Sequence, residues 1–83
     1  MDYDSLKMSF EEVTIFVASH KLKLESIVHK GCTNEQMLAY VKTNYDKIVC
    51  RPLYYYGDTI SAIHIEETIN NQKMVSYWNV IND

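Results

Sequence analysis

Apolar positions along this chain change their period once. Phe10, Val13, Val17, Leu24, Ile27 and Val28 recur near helical spacing up to Gly31, and Met37, Leu38, Val41, Tyr45 and Ile48 repeat that spacing before Pro52. These segments predict helices, and the alternation beyond Pro52 predicts strands. Ser9 with Glu12 and Thr33 with Gln36 have the spacing of capping boxes, with Met8 and Val13, and Cys32 and Met37, at the staple positions. Glu11 and Glu12 suit the positive end of a helix, Gly31 suits the position after its last turn, and Pro52 forbids continuation of a second helix expected over residues 34–49. Within the first segment Lys21-Leu22-Lys23-Leu24 alternates like a short strand and Ser19-His20 can break a helix. Residues 9–30 therefore read as one long helix or two short ones. Asp2, Tyr3 and Asp4 read as a polar arm.

Residues 51–81 read as a three-stranded antiparallel meander whose turns can be placed. Gly57-Asp58 meets the demand of a tight hairpin, and Asn70-Asn71 supplies two residues that tolerate positive φ. Period-two alternation then sets Leu53 opposite Ala62 and Tyr56 opposite Thr59 around the first turn. Around the second it sets Ile65 opposite Ser76, His64 opposite Tyr77, Ile63 opposite Trp78 and Ala62 opposite Asn79. One face collects Tyr54, Tyr56, Ile63, Ile65, Met74, Trp78 and Val80, and is the face to bury. The other collects Arg51, Leu53, Tyr55, Ile60, His64, Glu66, Val75, Tyr77 and Asn79. The expected fold is α+β: two or three N-terminal helices (helical part 9–49) on one face of the meander (51–81), in a single domain over residues 1–83.

Composition narrows the function classes. The chain has 47% hydrophobic and 23% charged residues, too many aromatics and too little charge for disorder. A net charge of −3 disfavours nonspecific binding to nucleic acid or anionic lipid. No apolar run approaches the roughly 18 residues of a membrane span and no secretory leader is recognisable, so a cytoplasmic location is expected. Cys32 and Cys50 are too widely spaced for a redox motif and too few to staple a secreted scaffold. Lysine outnumbers arginine seven to one and Asn, Ile and Tyr are abundant, the bias of an AT-rich coding sequence. Such a bias fits a low-GC bacterium or a virus infecting one, where the location becomes the host cytoplasm.

Motifs for chemistry are sparse. His29-x-x-Cys32 has a metal-like spacing but supplies only one ligand pair, so no metal or other cofactor is expected. His29 reads instead as a surface residue. There is no GxSxG, HExxH or Gly-rich phosphate loop, and no catalytic residue is assigned. Helix, helix and hairpin also fit a winged-helix DNA-binding regulator, whose reading helix would expose Asn34, Glu35, Lys42, Asn44, Asp46 and Lys47. Those charges nearly cancel. The stretch from Asn34 to Glu66, with Arg51-Pro52 opening a strand before the Gly57-Asp58 hairpin, resembles the C-terminal half of arsenate-reductase-like thioredoxin-fold proteins. That resemblance implies that Pro52 opens a strand with a cis bond and leaves a minimal thiol enzyme as a further alternative. The family's preceding βαβ segment with its reactive cysteine has no counterpart, so no activity is carried over.

Seven tyrosines and one tryptophan exceed what a core of this size needs. Arg51, Tyr55, His64, Glu66 and Tyr77 share the face left over after the core is chosen, and they match the composition of interface hot spots. The expected function is therefore non-catalytic: a small module that binds a protein partner or a second copy of itself, of the kind a phage uses to inhibit a host enzyme or defence system.

Overall fold

Two capping boxes start the helices. Ser9 Oγ accepts from the Glu12 amide (3.1 Å) and Glu12 Oε1 from the Ser9 amide (3.0 Å), while Thr33 and Gln36 make the same exchange at 3.0 and 2.9 Å. In the computed structural model, which describes residues 7–81, they open α1 (Phe10–Ser19) and α2 (Asn34–Thr43). The polar arm lies outside the described residues. A 3₁₀ turn (Tyr45–Lys47) follows α2, and the strands are β1 (Leu22–Ser26), β2 (Ile48–Leu53), β3 (Ala62–Ile69) and β4 (Gln72–Val80). They form one antiparallel sheet in the order β1-β4-β3-β2. No helix among the described residues is long and apolar enough to cross a membrane.

The α+β class agrees with the sequence pattern, but the sheet has four strands where three were expected. Residues 9–30 are neither one helix nor two. Helix α1 ends at Ser19, whose Oγ takes the Ile15 carbonyl (2.7 Å), and His20 is already extended at φ −130° with its ring stacked 4.3 Å from Phe16. Beyond it the period becomes two: Leu22 is buried, Leu24 and Ser26 are half-buried, and Lys21, Lys23 and Glu25 face solvent. Gly31, at φ 86°, belongs to a turn and not to a helix end. Helix α2 also stops earlier than Val49. The Asn44 amide and side chain both bond to the Tyr40 carbonyl (3.1 and 2.9 Å), and Ile48 is buried from β2 instead of from a helix.

Both predicted turns hold register. Leu53 pairs with Ala62 and Arg51 with His64 around Gly57, which adopts φ 67°; Ile63 pairs with Trp78 and His64 with Tyr77 around Asn70 and Asn71, at φ 51° and 66°. Ile63, Ile65 and Trp78 are fully buried, together with Val13, Met37, Val41, Ile48 and Cys50, and Phe16 is buried beside them. Tyr54 and Tyr56 correct the predicted core: they are 50% and 81% exposed. The ladder ends at Leu53 and Ala62, the Ser61 amide bonding to the Leu53 carbonyl (2.8 Å) and its carbonyl accepting from Val80 (2.9 Å), and only the Tyr56–Thr59 bridge lies beyond. Both tyrosines lie past the end of the paired sheet, where alternation no longer decides which face is buried. Pro52 lies inside β2 with a trans bond, since no peptide among the described residues is cis.

Trp78→Ala should lower unfolding free energy by roughly 3–5 kcal/mol, Ser9→Ala and Thr33→Ala by about 1 kcal/mol each, and Tyr56→Ala by less than about 0.5 kcal/mol. Urea melts of the four variants check this order, and a Tyr56 effect as large as that of Trp78 would contradict the assigned core.

Candidate functional site

Helices α1 and α2 share one core with Ile48, Cys50, Ile63, Ile65 and Trp78, which lie on the same side of the sheet, and among the described residues the other side carries no helix. Across that open face the register aligns Arg51 on β2, His64 on β3 and Tyr77 on β4 in one row, with Glu25 of β1 at its end. Glu66 lies one step along β3 and gathers three nitrogen-bearing side chains: Arg51 Nη1 at 3.4 Å, His64 Nδ1 at 3.7 Å and Lys73 Nζ at 3.7 Å. The His64 and Tyr77 rings pack with centroids 5.3 Å apart, and Asn79 Nδ2 donates to Glu25 Oε1 (2.8 Å). Arg51 Nε is buried without a partner among the described residues. These half-exposed pairs contribute little individually to stability, because water screens them.

Four of the five residues singled out from sequence, Arg51, His64, Glu66 and Tyr77, come together here. Tyr55 is set apart. It sits on the hairpin tip beyond the ladder, its amide 3.3 Å from Ser61 Oγ, where it lines a cleft of about 500 Å³ with His20, Tyr56, Thr59, Ile60, Ser61, Asn79 and Val80. A shallower cleft of about 250 Å³ between α1 and Ile60 adds Met8, Glu12, Ile15, Phe16 and Ser19, and shares His20 and Ile60 with the first. Asn79 belongs both to the large cleft and to the open face, so the two surfaces adjoin there. Ile15 is 56% exposed and Tyr55 57% exposed, so much of this apolar lining faces water. The clefts bring together residues from α1, the hairpin and the end of β4, a juxtaposition that no local period signals.

A second cluster was missed. Glu67 points into the core from β3, with its side chain only 4% exposed; its Oε2 lies 2.6 Å from His29 Nε2, and its Oε1 accepts from the Tyr40 hydroxyl. His29 and Tyr40 rings pack at 4.3 Å, and the His29 amide bonds to Ser26 Oγ, which accepts from Ser76 Oγ (both 2.8 Å). His29 is thus no surface residue: its side chain is 11% exposed and tied to the buried carboxylate. The signal was available, because alternation places residue 67 on the face of Ile63 and Ile65, where a carboxylate requires partners. The Glu67 hydrogen bond, burial and its charge raise the Tyr40 hydroxyl to about 12, and burial raises the Cys50 thiol to about 11. A thiol so placed is protonated near neutrality and shielded from solvent. Among the described residues no three His, Cys, Asp or Glu gather in a metal-holding group.

No protein-family model matches the chain, and comparison with curated proteins and with solved structures finds no significant match.

Because the Tyr40 value is raised above its ordinary 10.0, the Tyr40–Glu67 bond contributes fully below about pH 10 and is lost as pH rises through about 12. Denaturant midpoints between pH 9 and 11.5 should therefore fall more steeply for the native chain than for Tyr40→Phe. Equal slopes would place the proton elsewhere. Iodoacetamide at pH 8 should alkylate the half-buried Cys32 well before the buried Cys50.

Proposed function

We propose that this chain is a non-catalytic protein-binding module that acts by occupying a partner's surface. The contact surface runs from the tyrosine hairpin through Asn79 to Tyr77, His64, Arg51 and Glu66. One observation carries the reading: Tyr54, Tyr55 and Tyr56 stand 50%, 57% and 81% exposed on a tip that contributes none of the buried core. Tyrosine there is costly in exposed apolar area and gives no packing in return, whereas in an interface it offers rigid contact area with a polar end. The charged groups beside it set orientation and encounter rate more than affinity. A small acidic module with an AT-rich coding bias fits a phage-encoded inhibitor of a host enzyme or defence system.

The test uses the tagged chain as bait in an extract of its source cells, followed by titration of the retained protein. Tyr55→Ser with Tyr56→Ser should leave the fold cooperative and weaken binding by about 2 kcal/mol for each anchor lost, and Tyr77→Ser should weaken it from the open face. Lys42→Ala, on the exposed side of α2, should bind normally. Unchanged binding by the tyrosine variants would end this reading. Salt-dependent binding to duplex DNA would favour the winged-helix alternative, and an activity lost with Cys50→Ala the thiol-enzyme alternative.

A further inference from the structure

The two edges of the sheet are built differently. At the β2 edge the Met8 amide occupies the outward Cys50 carbonyl (2.8 Å), and Pro52, without an N–H, removes a donor from the same outward row. That edge is blunted against further pairing. At the β1 edge the odd-numbered residues turn their backbone groups toward β4, as the bond from the Ile81 amide to the Lys21 carbonyl (2.8 Å) shows, so Leu22, Leu24 and Ser26 present theirs outward. Asn34 Nδ2 reaches the Leu22 carbonyl (3.1 Å), which keeps a second lone pair. No backbone group among the described residues pairs with Leu24 on that side.

The open edge is complementary to itself in charge. When Leu22–Ser26 is set antiparallel to a second copy about a two-fold axis at Leu24, Lys23 falls opposite the second copy's Glu25, and Glu25 opposite its Lys23. Both side chains are exposed and lie on the same face, so two ion pairs form at once. The Leu24 residues exchange both of their outward N–H and C=O groups, and Leu22 faces Ser26 on either side. An axis perpendicular to the sheet keeps the helices of both copies on one side and joins the two open faces into one.

We propose that the chain self-associates through β1, forming an eight-stranded antiparallel sheet whose register is set by reciprocal Lys23–Glu25 pairs. The partner is a second copy because an arbitrary extended segment would not supply both charges in this order. The proposal uses neither the tyrosine hairpin nor Tyr77 and stands apart from the function proposed above.

A charge swap tests it. Sedimentation and light scattering of the whole chain should show twice the 9.7 kDa monomer mass as concentration rises. Lys23→Glu alone and Glu25→Lys alone, each placing like charges opposite one another, should weaken association roughly tenfold or more, and the double swap should restore it. Circular dichroism of each variant verifies the fold, since both side chains are exposed. Hydrogen exchange supplies a second readout: the Leu24 amide should be protected at high concentration and lose protection on dilution, while the β3 and β4 amides keep theirs. A chain that stays at 9.7 kDa up to roughly 1 mM, where a millimolar complex is half formed, overturns the proposal. So does a dimer indifferent to the single reversals, or a double swap that fails to restore it.

Discussion

A single amide side chain joins the parts of the core that the backbone leaves separate. Asn34, the first residue of α2, accepts from the Trp78 indole N–H (3.1 Å) and donates to the Leu22 carbonyl (3.1 Å), linking helix, central strand and edge strand. Trp78 is completely buried and sits between Leu24 and Ile63 in the sheet, so its N–H needs a partner wherever the helix settles. A helix displaced along the sheet would leave that donor unpaired at a cost of about 1–3 kcal/mol. Glu67 fixes the other end of α2 in the same way, through Tyr40. Polar groups in an otherwise apolar interior thus select one docking position among several that would bury similar area.

What could be read from sequence was what depends on neighbouring residues. Capping at Ser9 and Thr33 involves four consecutive residues, and both hairpin registers follow from short turns, so these needed no knowledge of the rest of the chain. Errors fell where a local pattern was cut short by distant structure. Leu22 and Leu24 alternate, yet Ile27 and Val28 continue a helical count, and the strand was settled by its pairing with β4. Ile27 is in fact 86% exposed, so that helical count held an accidental member. Tyr54 and Tyr56 obey alternation, but the paired sheet ends before them. Four members of the predicted surface patch meet on the open face because register alone places them there, whereas the clefts around His20 and Ile60 and the His29–Glu67 contact arise only from tertiary folding.

The two sides of the sheet divide the chemistry of the chain. Inside, ionisable groups are neutralised by contact: Tyr40 is held protonated against a carboxylate, and Cys50 is removed from water. Outside, Glu66 shares its charge among Arg51, His64 and Lys73 at separations of 3.4 to 3.7 Å, distances loose enough for these groups to be re-paired at modest cost.

The turn at Asn70 and Asn71 carries a consequence for the order of assembly. With two residues at φ 51° and 66°, β3 and β4 meet through the smallest loop in the sheet, and pairs spreading outward from Ile69 and Gln72 each close little additional chain. Joining β1 to β4 instead requires Leu22 to find Val80, far along the chain and beyond α2 and the two intervening strands. Chain entropy therefore favours early β3–β4 pairing and delays the addition of β1. During synthesis β1 emerges well before the strand it pairs with, so Leu22 and Leu24 wait in water until the last strand has been made.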